Sequence, residues 1–138
     1  MTTSEESARV EDEIEIRVGA DPAQLPVLRA VANVLAMRRD FDLDAISDMK
    51  MGVDEACSML ILKAAKGSVL TCQFFPGKGE VRMVATALSD SDDWPDAGSF
   101  GWHVLSTLAD EVDASVSPAA ADPGGFLLRI ELVKRVKG

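Results

Sequence analysis

Eight apolar side chains, Ile46, Met49, Val53, Ala56, Cys57, Leu60, Ile61 and Ala64, recur at three- and four-residue spacing, a period that only an α-helix gathers onto one face. Asp44 stands where an N-cap belongs and Gly67 where a helix stops, so the pattern predicts one long helix between them. A stripe of that length must be covered by another layer. The covering layer follows at once in the chain. Val69 to Phe75 and Glu80 to Leu88 are rich in β-branched and aromatic residues, and Pro76-Gly77-Lys78-Gly79 separates them. This predicts a hairpin with a four-residue loop.

The flanking segments extend the same scheme. Glu13-Ile14-Glu15-Ile16-Arg17-Val18 alternates charged and β-branched residues up to Gly19, a strand with one wet face. Asp21 before Pro22 opens a helix whose apolar set is Leu25, Leu28, Val31, Ala32 and Leu35, with Arg38-Arg39 at the negative end of its dipole. Ser89 to Ala97 holds four aspartates, a tryptophan and a proline and reads as a surface loop. A third helix is expected from Gly98, with Val104, Leu105, Leu108, Ala109 and Val112 facing the core, then a small-residue loop over Ser115 to Pro123 and a last strand over Gly125 to Val133. The order strand, helix, helix, strand, strand, helix, strand suits an α/β two-layer sandwich, a mixed β-sheet with helices on one face. Residues 1–12 are acidic and without period, so they are expected to be a disordered leader to a single domain over 13–138.

Composition excludes several classes of function. Fourteen Lys and Arg against 23 Asp and Glu leave a net charge of -9, which opposes direct binding to nucleic acid or anionic lipid. No window approaches the roughly 18 apolar residues of a membrane span, and the acidic N-terminus has no signal-peptide pattern, so the chain is expected to be cytoplasmic. Cys57 and Cys72 are the only cysteines. Each falls on the apolar side of its element and reads as a buried thiol, with no disulfide framework or metal spacing. His103 has no nucleophile or acid assignable to it and reads as structural, and Lys134, Arg135 and Lys137 read as solvating charges at the chain end. The acids Asp90, Asp92, Asp93 and Asp96 lack the glycine and closing glutamate of a calcium loop.

Asp54-Glu55-Ala56-Cys57-Ser58 on the long helix, the hairpin after it, and Gly98-Ser99-Phe100-Gly101-Trp102 leading into a further helix together resemble the anti-sigma factor and serine kinase branch of the histidine-kinase-type ATPase (Bergerat-type) fold. The resemblance covers Glu13 to Val133. It implies ATP and Mg²⁺ as cofactors, Glu55 as the general base, and Gly98, Ser99, Phe100 and Gly101 as a loop on the phosphate side, where backbone N–H groups meet anions. It also implies that Arg29, on the first helix, contacts protein partners.

The chain departs from the family pattern at three places. Met59 occupies the position of the asparagine that holds the metal, and a thioether is a poor ligand for hard Mg²⁺, so no metal ligand is assigned. Thr86-Ala87-Leu88 stands where the family has an aspartate that reads adenine, and Phe126 follows Gly124-Gly125 where it has a threonine. ATP and Mg²⁺ binding is therefore expected to be weak or absent, with Glu55 either a relic of the base or an active one. The function implied is an anti-sigma factor, commonly a homodimer, that sequesters an alternative sigma factor of the stress or sporulation type and is countered by an anti-anti-sigma partner. An acidic surface suits the basic, promoter-binding regions of a sigma factor. The alternatives are an active ATP-dependent serine/threonine protein kinase acting on that antagonist, and a switch module serving a different pathway.

Overall fold

The computed structural model describes residues 13–120 and 124–136. The leader expected over residues 1–12 and the terminal Lys137 lie outside the described residues. Five strands, β1 (Ile14–Gly19), β2 (Val69–Gly77), β3 (Glu80–Ser89), β4 (Glu111–Pro118) and β5 (Phe126–Arg135), form one sheet in the order β1-β2-β3-β5-β4. Among the described residues three α-helices, α1 (Leu25–Arg38), α2 (Leu43–Lys63) and α3 (Phe100–Leu108), accompany the sheet. The two-layer α/β sandwich is as expected, but the sheet is not mixed: every neighbouring pair is antiparallel. Two helices between β1 and β2 return the chain to the end it left, which reverses the second strand. The single helix between β3 and β4 gives those strands one direction, and β5 inserts between them running the other way.

Local chemistry accounts for most element ends. Asp21 Oδ1 accepts from Ala23 N at 2.8 Å and caps a short 3₁₀ turn, Pro22–Gln24, that feeds α1. The cap of α2 is Asp42 rather than Asp44, its Oδ1 accepting from Ala45 N at 2.8 Å. Asp44 lies in the first turn, where its charge still suits the helix dipole. The hairpin loop is two residues long, not four, because Pro76 pairs with Val81 and Gly77 with Glu80. Gly79, at φ +71°, provides the left-handed residue that the turn requires. Pro76 is tolerated because pairing with β1 stops at Phe74, leaving it on an edge.

A fourth correction concerns the segment after α3. The helix ends at Leu108 instead of continuing through Val112, and the first part of the expected small-residue loop, Ser115 to Pro118, belongs to strand β4. Val112, Ala114 and Val116 alternate with exposed neighbours, a period of two that the small side chains disguised. Asp110 N donates to Val133 O at 2.9 Å and Asp110 Oδ2 accepts from Arg135 N at 2.6 Å, so pairing with β5 takes over where the helix stops.

Helix α2 lies across β2, β3 and β5, with α1 on one flank and α3, which also meets β4, on the other. Its residues Met49, Val53, Ala56, Cys57 and Leu60 are buried against Leu70, Phe74, Met83, Ile130 and Leu132. Gly52 permits the close approach, since a Cβ there would lie 3.6 Å from Leu132 Cδ2. Lys134 is no solvating tail charge. It is buried on the helical side of β5, where its Nζ donates to Asp48 Oδ2 at 3.2 Å and to Leu108 O at 2.9 Å, joining α2, the end of α3 and the sheet. Among the described residues no helix is long and apolar enough to cross a membrane.

Candidate functional site

Adjacent helix residues point about 100° apart, so Asp54 and Glu55 address different neighbours. Asp54 faces α1, where Arg29 Nη1 donates to its Oδ1 at 2.6 Å. Both side chains keep a third or more of their surface in water, which limits the pair to roughly 0–1 kcal/mol of stability. Its effect is positional: the guanidinium is held at the rim between α1 and α2. The sequence marks neither residue as the other's partner, because they are 25 positions apart on separate helices.

Glu55 faces α3. A Cβ on Gly101 would stand 3.0 Å from Glu55 Oε2 and 3.1 Å from Met59 Sδ, so α3 rests on these two side chains through a residue that has none. The structure thus brings together Glu55, Met59 and Gly101. It places Arg29 on the far flank of α2, against Asp54. Glu55 is half-buried and Met59 is 9% exposed.

The glycine-containing segment is committed to its own helix. Ser99 is the N-cap of α3, its Oγ accepting from Trp102 N at 3.1 Å, and His103 N donates to Ser99 O at 3.2 Å. Phe100 projects into solvent at 80% exposure, and His103 is exposed. Upstream, the loop expected to be wholly superficial is anchored by Trp94, which is buried and donates from Nε1 to Arg129 O at 3.0 Å. Asp93 of the same loop pairs with Lys63 at 3.2 Å.

These residues fit poorly around a magnesium nucleotide. Met59 offers a buried thioether in place of an oxygen. Ala87 is in the core, in register with Leu70 and Leu128, and offers no group to read a base. Phe126 is half-buried against the core between Ser89 and Pro118. A general base must reach the proton it removes, and across from Glu55 stand a thioether and a glycine backbone. No group of three or more His, Cys, Asp or Glu among the described residues is arranged to hold a metal. A cavity of about 60 Å³ lined by Glu111, Val112, Asp113, Glu131 and Val133 is far below the roughly 300 Å³ of a small-ligand site.

The chain is 35% identical over 122 residues to the anti-sigma-F factor RsbW of Mycobacterium tuberculosis, covering 88% of this chain and 73% of that one. It is 24% identical over 129 residues to the serine-protein kinase RsbW of Bacillus licheniformis, covering 78% and 81% respectively. Among solved structures it shares its fold with the SiaB-SiaC complex from Pseudomonas aeruginosa, at a TM-score of 0.71 and 11% identity over 96% of this chain and 97% of that one. No family model matches the sequence.

Proposed function

This chain belongs to the RsbW family of anti-sigma factors and serine-protein kinases, and from that membership we propose that it sequesters an alternative sigma factor by protein contact and releases it to an anti-anti-sigma competitor. The observation that carries the reading is the 35% identity to a relative named as an anti-sigma-F factor, spread over 88% of this chain. The fold shared with the SiaB-SiaC complex, itself an assembly of two proteins, supports a role in pairwise protein contact. The chain acts in the cytoplasm as a homodimer, with Arg29 at the partner-facing rim of α1.

Relatives named as serine-protein kinases use ATP, which makes ATP the nucleotide to test. In this chain its binding is weak or absent, and release of the sigma factor does not depend on phosphorylation. The approach of Gly101 to Glu55 and Met59 supports this, because it leaves little room between α2 and α3 beside Glu55. Loss of a metal ligand and of a base-reading carboxylate together costs several kcal/mol, enough to move a micromolar site toward millimolar at about 1.4 kcal/mol per tenfold.

Two measurements test the proposal. Gel filtration with light scattering of the chain coexpressed with an alternative sigma factor of its own organism should yield a stable complex containing two copies of this chain, and elution of the two proteins apart would refute the anti-sigma role. Isothermal titration with ATP and Mg²⁺ should give no binding in the micromolar range. Micromolar binding, followed by phosphate transfer to the antagonist that Glu55→Ala abolishes, would restore the kinase reading.

A further inference from the structure

The only two cysteines of the chain meet. Cys57 on α2 and Cys72 on β2 are both fully buried, and their Sγ atoms are 3.6 Å apart, with one thiol donating to the other. The sequence shows each cysteine only as one more apolar position. We propose that Cys57 and Cys72 form an oxidisable dithiol, converted by a hydroperoxide into a disulfide that staples α2 to β2. The proposal is independent of any partner of the chain.

The surroundings select the oxidant and the course of reaction. The hydrogen bond to Cys72, then burial, then the charges of Cys72 and Asp54 push the Cys57 thiol well above the ordinary range, so the thiolate is scarce and oxidation is slow. Bulky disulfides cannot reach either sulfur, whereas hydrogen peroxide is close to water in size and uncharged. One thiol takes an oxygen atom from peroxide, giving a sulfenic acid and water. The other sulfur then attacks it: the S–S bond forms, the S–O bond breaks, and the oxygen leaves as water with the protons of the two groups. Two thiols are oxidised by two electrons and one peroxide is reduced. The resolving thiol is already in van der Waals contact with its target, so condensation outruns further oxidation to the sulfinic acid. With no third cysteine in the chain, the product cannot reshuffle.

The bridge would tie the middle of α2, three residues from Asp54 and two from Glu55, to the second strand of the sheet. Closing a loop between these positions removes freedom from the unfolded chain, so the oxidised protein should resist heat better than the reduced one.

The test uses the unmodified chain. After peroxide treatment, free thiols are alkylated in denaturant and the chain is cut with trypsin, which leaves Cys57 and Cys72 on separate peptides, 51–63 and 67–78. The expected result is a linked pair of these peptides, released by dithiothreitol. Half of the oxidised sample treated with dithiothreitol should melt at a lower temperature than the other half, a comparison that leaves any methionine sulfoxide unchanged in both. Met37 and Met51, 59% and 52% exposed, report the dose. Sulfoxide at both with Cys57 and Cys72 still alkylated would overturn the proposal. So would an oxidised half that melts below its reduced counterpart, since the bridge would then distort the fold.

Discussion

Lys134 is the residue whose loss should be felt most widely for its size. Its side chain is 7% exposed, and its ammonium group holds Asp48 of α2 and the last carbonyl of α3 at once. Lys134→Met keeps the length of the stem and removes only the charge and its three donors, so packing changes little. Removing one partner of a fully buried pair costs about 3–5 kcal/mol. Asp48 is 36% exposed, so water can recover part of that, and the estimate falls to about 2 kcal/mol. The carbonyl of Leu108 loses a charged donor, adding roughly 1 kcal/mol. The sum is about 3 kcal/mol, or a lowering of the melting midpoint by roughly 10 °C for a domain of this size.

Urea titrations of the wild type, Lys134→Met, Asp48→Asn and the double variant would resolve the contributions. Asp48→Asn should cost less than Lys134→Met, because the lysine keeps Leu108 O and the amide still accepts. The double variant should be close to Lys134→Met alone, the deficit from additivity being the pair's coupling. A Lys134→Met midpoint indistinguishable from wild type would refute the reasoning. It would mean that the ammonium group is solvated in the protein and that the end of α3 needs no donor.

Further outcomes follow from single contacts. Trp94→Phe removes the indole N–H that meets Arg129 O and should cost about 1–2 kcal/mol in the same titration, with a larger loss in Trp94→Ala, where the anchor of the loop goes as well. Gly101→Val should destabilise the chain by about 2 kcal/mol, because its Cβ would press on Glu55 and Met59. Met59→Ala should relieve part of that loss, and an additive double variant would count against the contact. Burial raises the carboxyl of Glu131, but the hydrogen bonds and charges of Arg129 and Arg82 outweigh it and hold the group below the ordinary glutamate range. A depressed carboxyl stabilises the fold above its unfolded-state value and ceases to do so as pH falls through the folded one. Wild type should therefore lose stability on acidification more steeply than Glu131→Gln below the ordinary glutamate range, and parallel curves would rule the coupling out.

What could be read from the residues divides by range. The α2 stripe, the β2–β3 hairpin and β1 rest on local period and turn chemistry, and each appears, though the cap of α2 lies two residues earlier and the hairpin loop is two residues shorter than the pattern puts them. Strand β4 was hidden because Val112 also continues the helical spacing of Val104, Leu105 and Leu108, and only pairing with β5 decides between the two periods. The same limit applies to the site. Glu55, Met59 and Gly101 could be nominated from their residue types and from family resemblance, whereas Arg29–Asp54, Asp48–Lys134 and Cys57–Cys72 join elements whose order in space no local pattern encodes. Lys134 shows the limit most plainly, since a lysine near a chain end is nearly always solvated and this one is enclosed.

The seating of α3 on Glu55 also bears on how a substitution at Met59 would act on nucleotide binding. Met59→Asn would return an oxygen to the face that carries Glu55, one helical turn further on. That oxygen would be set beneath α3 at a position only 9% exposed, and an amide buried without a partner costs roughly 1–3 kcal/mol. The amide nitrogen can donate to Glu55 one turn away, but the oxygen is opened to a ligand only if α3 lifts from Glu55, which also strains the Leu108 and Lys134 contact at the other end of the helix. Even then Ala87 offers no carboxylate and Phe126 stands near the end of the same strand pair. Met59→Asn should therefore be less stable than wild type and still give no micromolar heat with ATP and Mg²⁺. Tight binding by this variant alone would show that the thioether, and not the seating of α3, is what limits ATP binding in this chain.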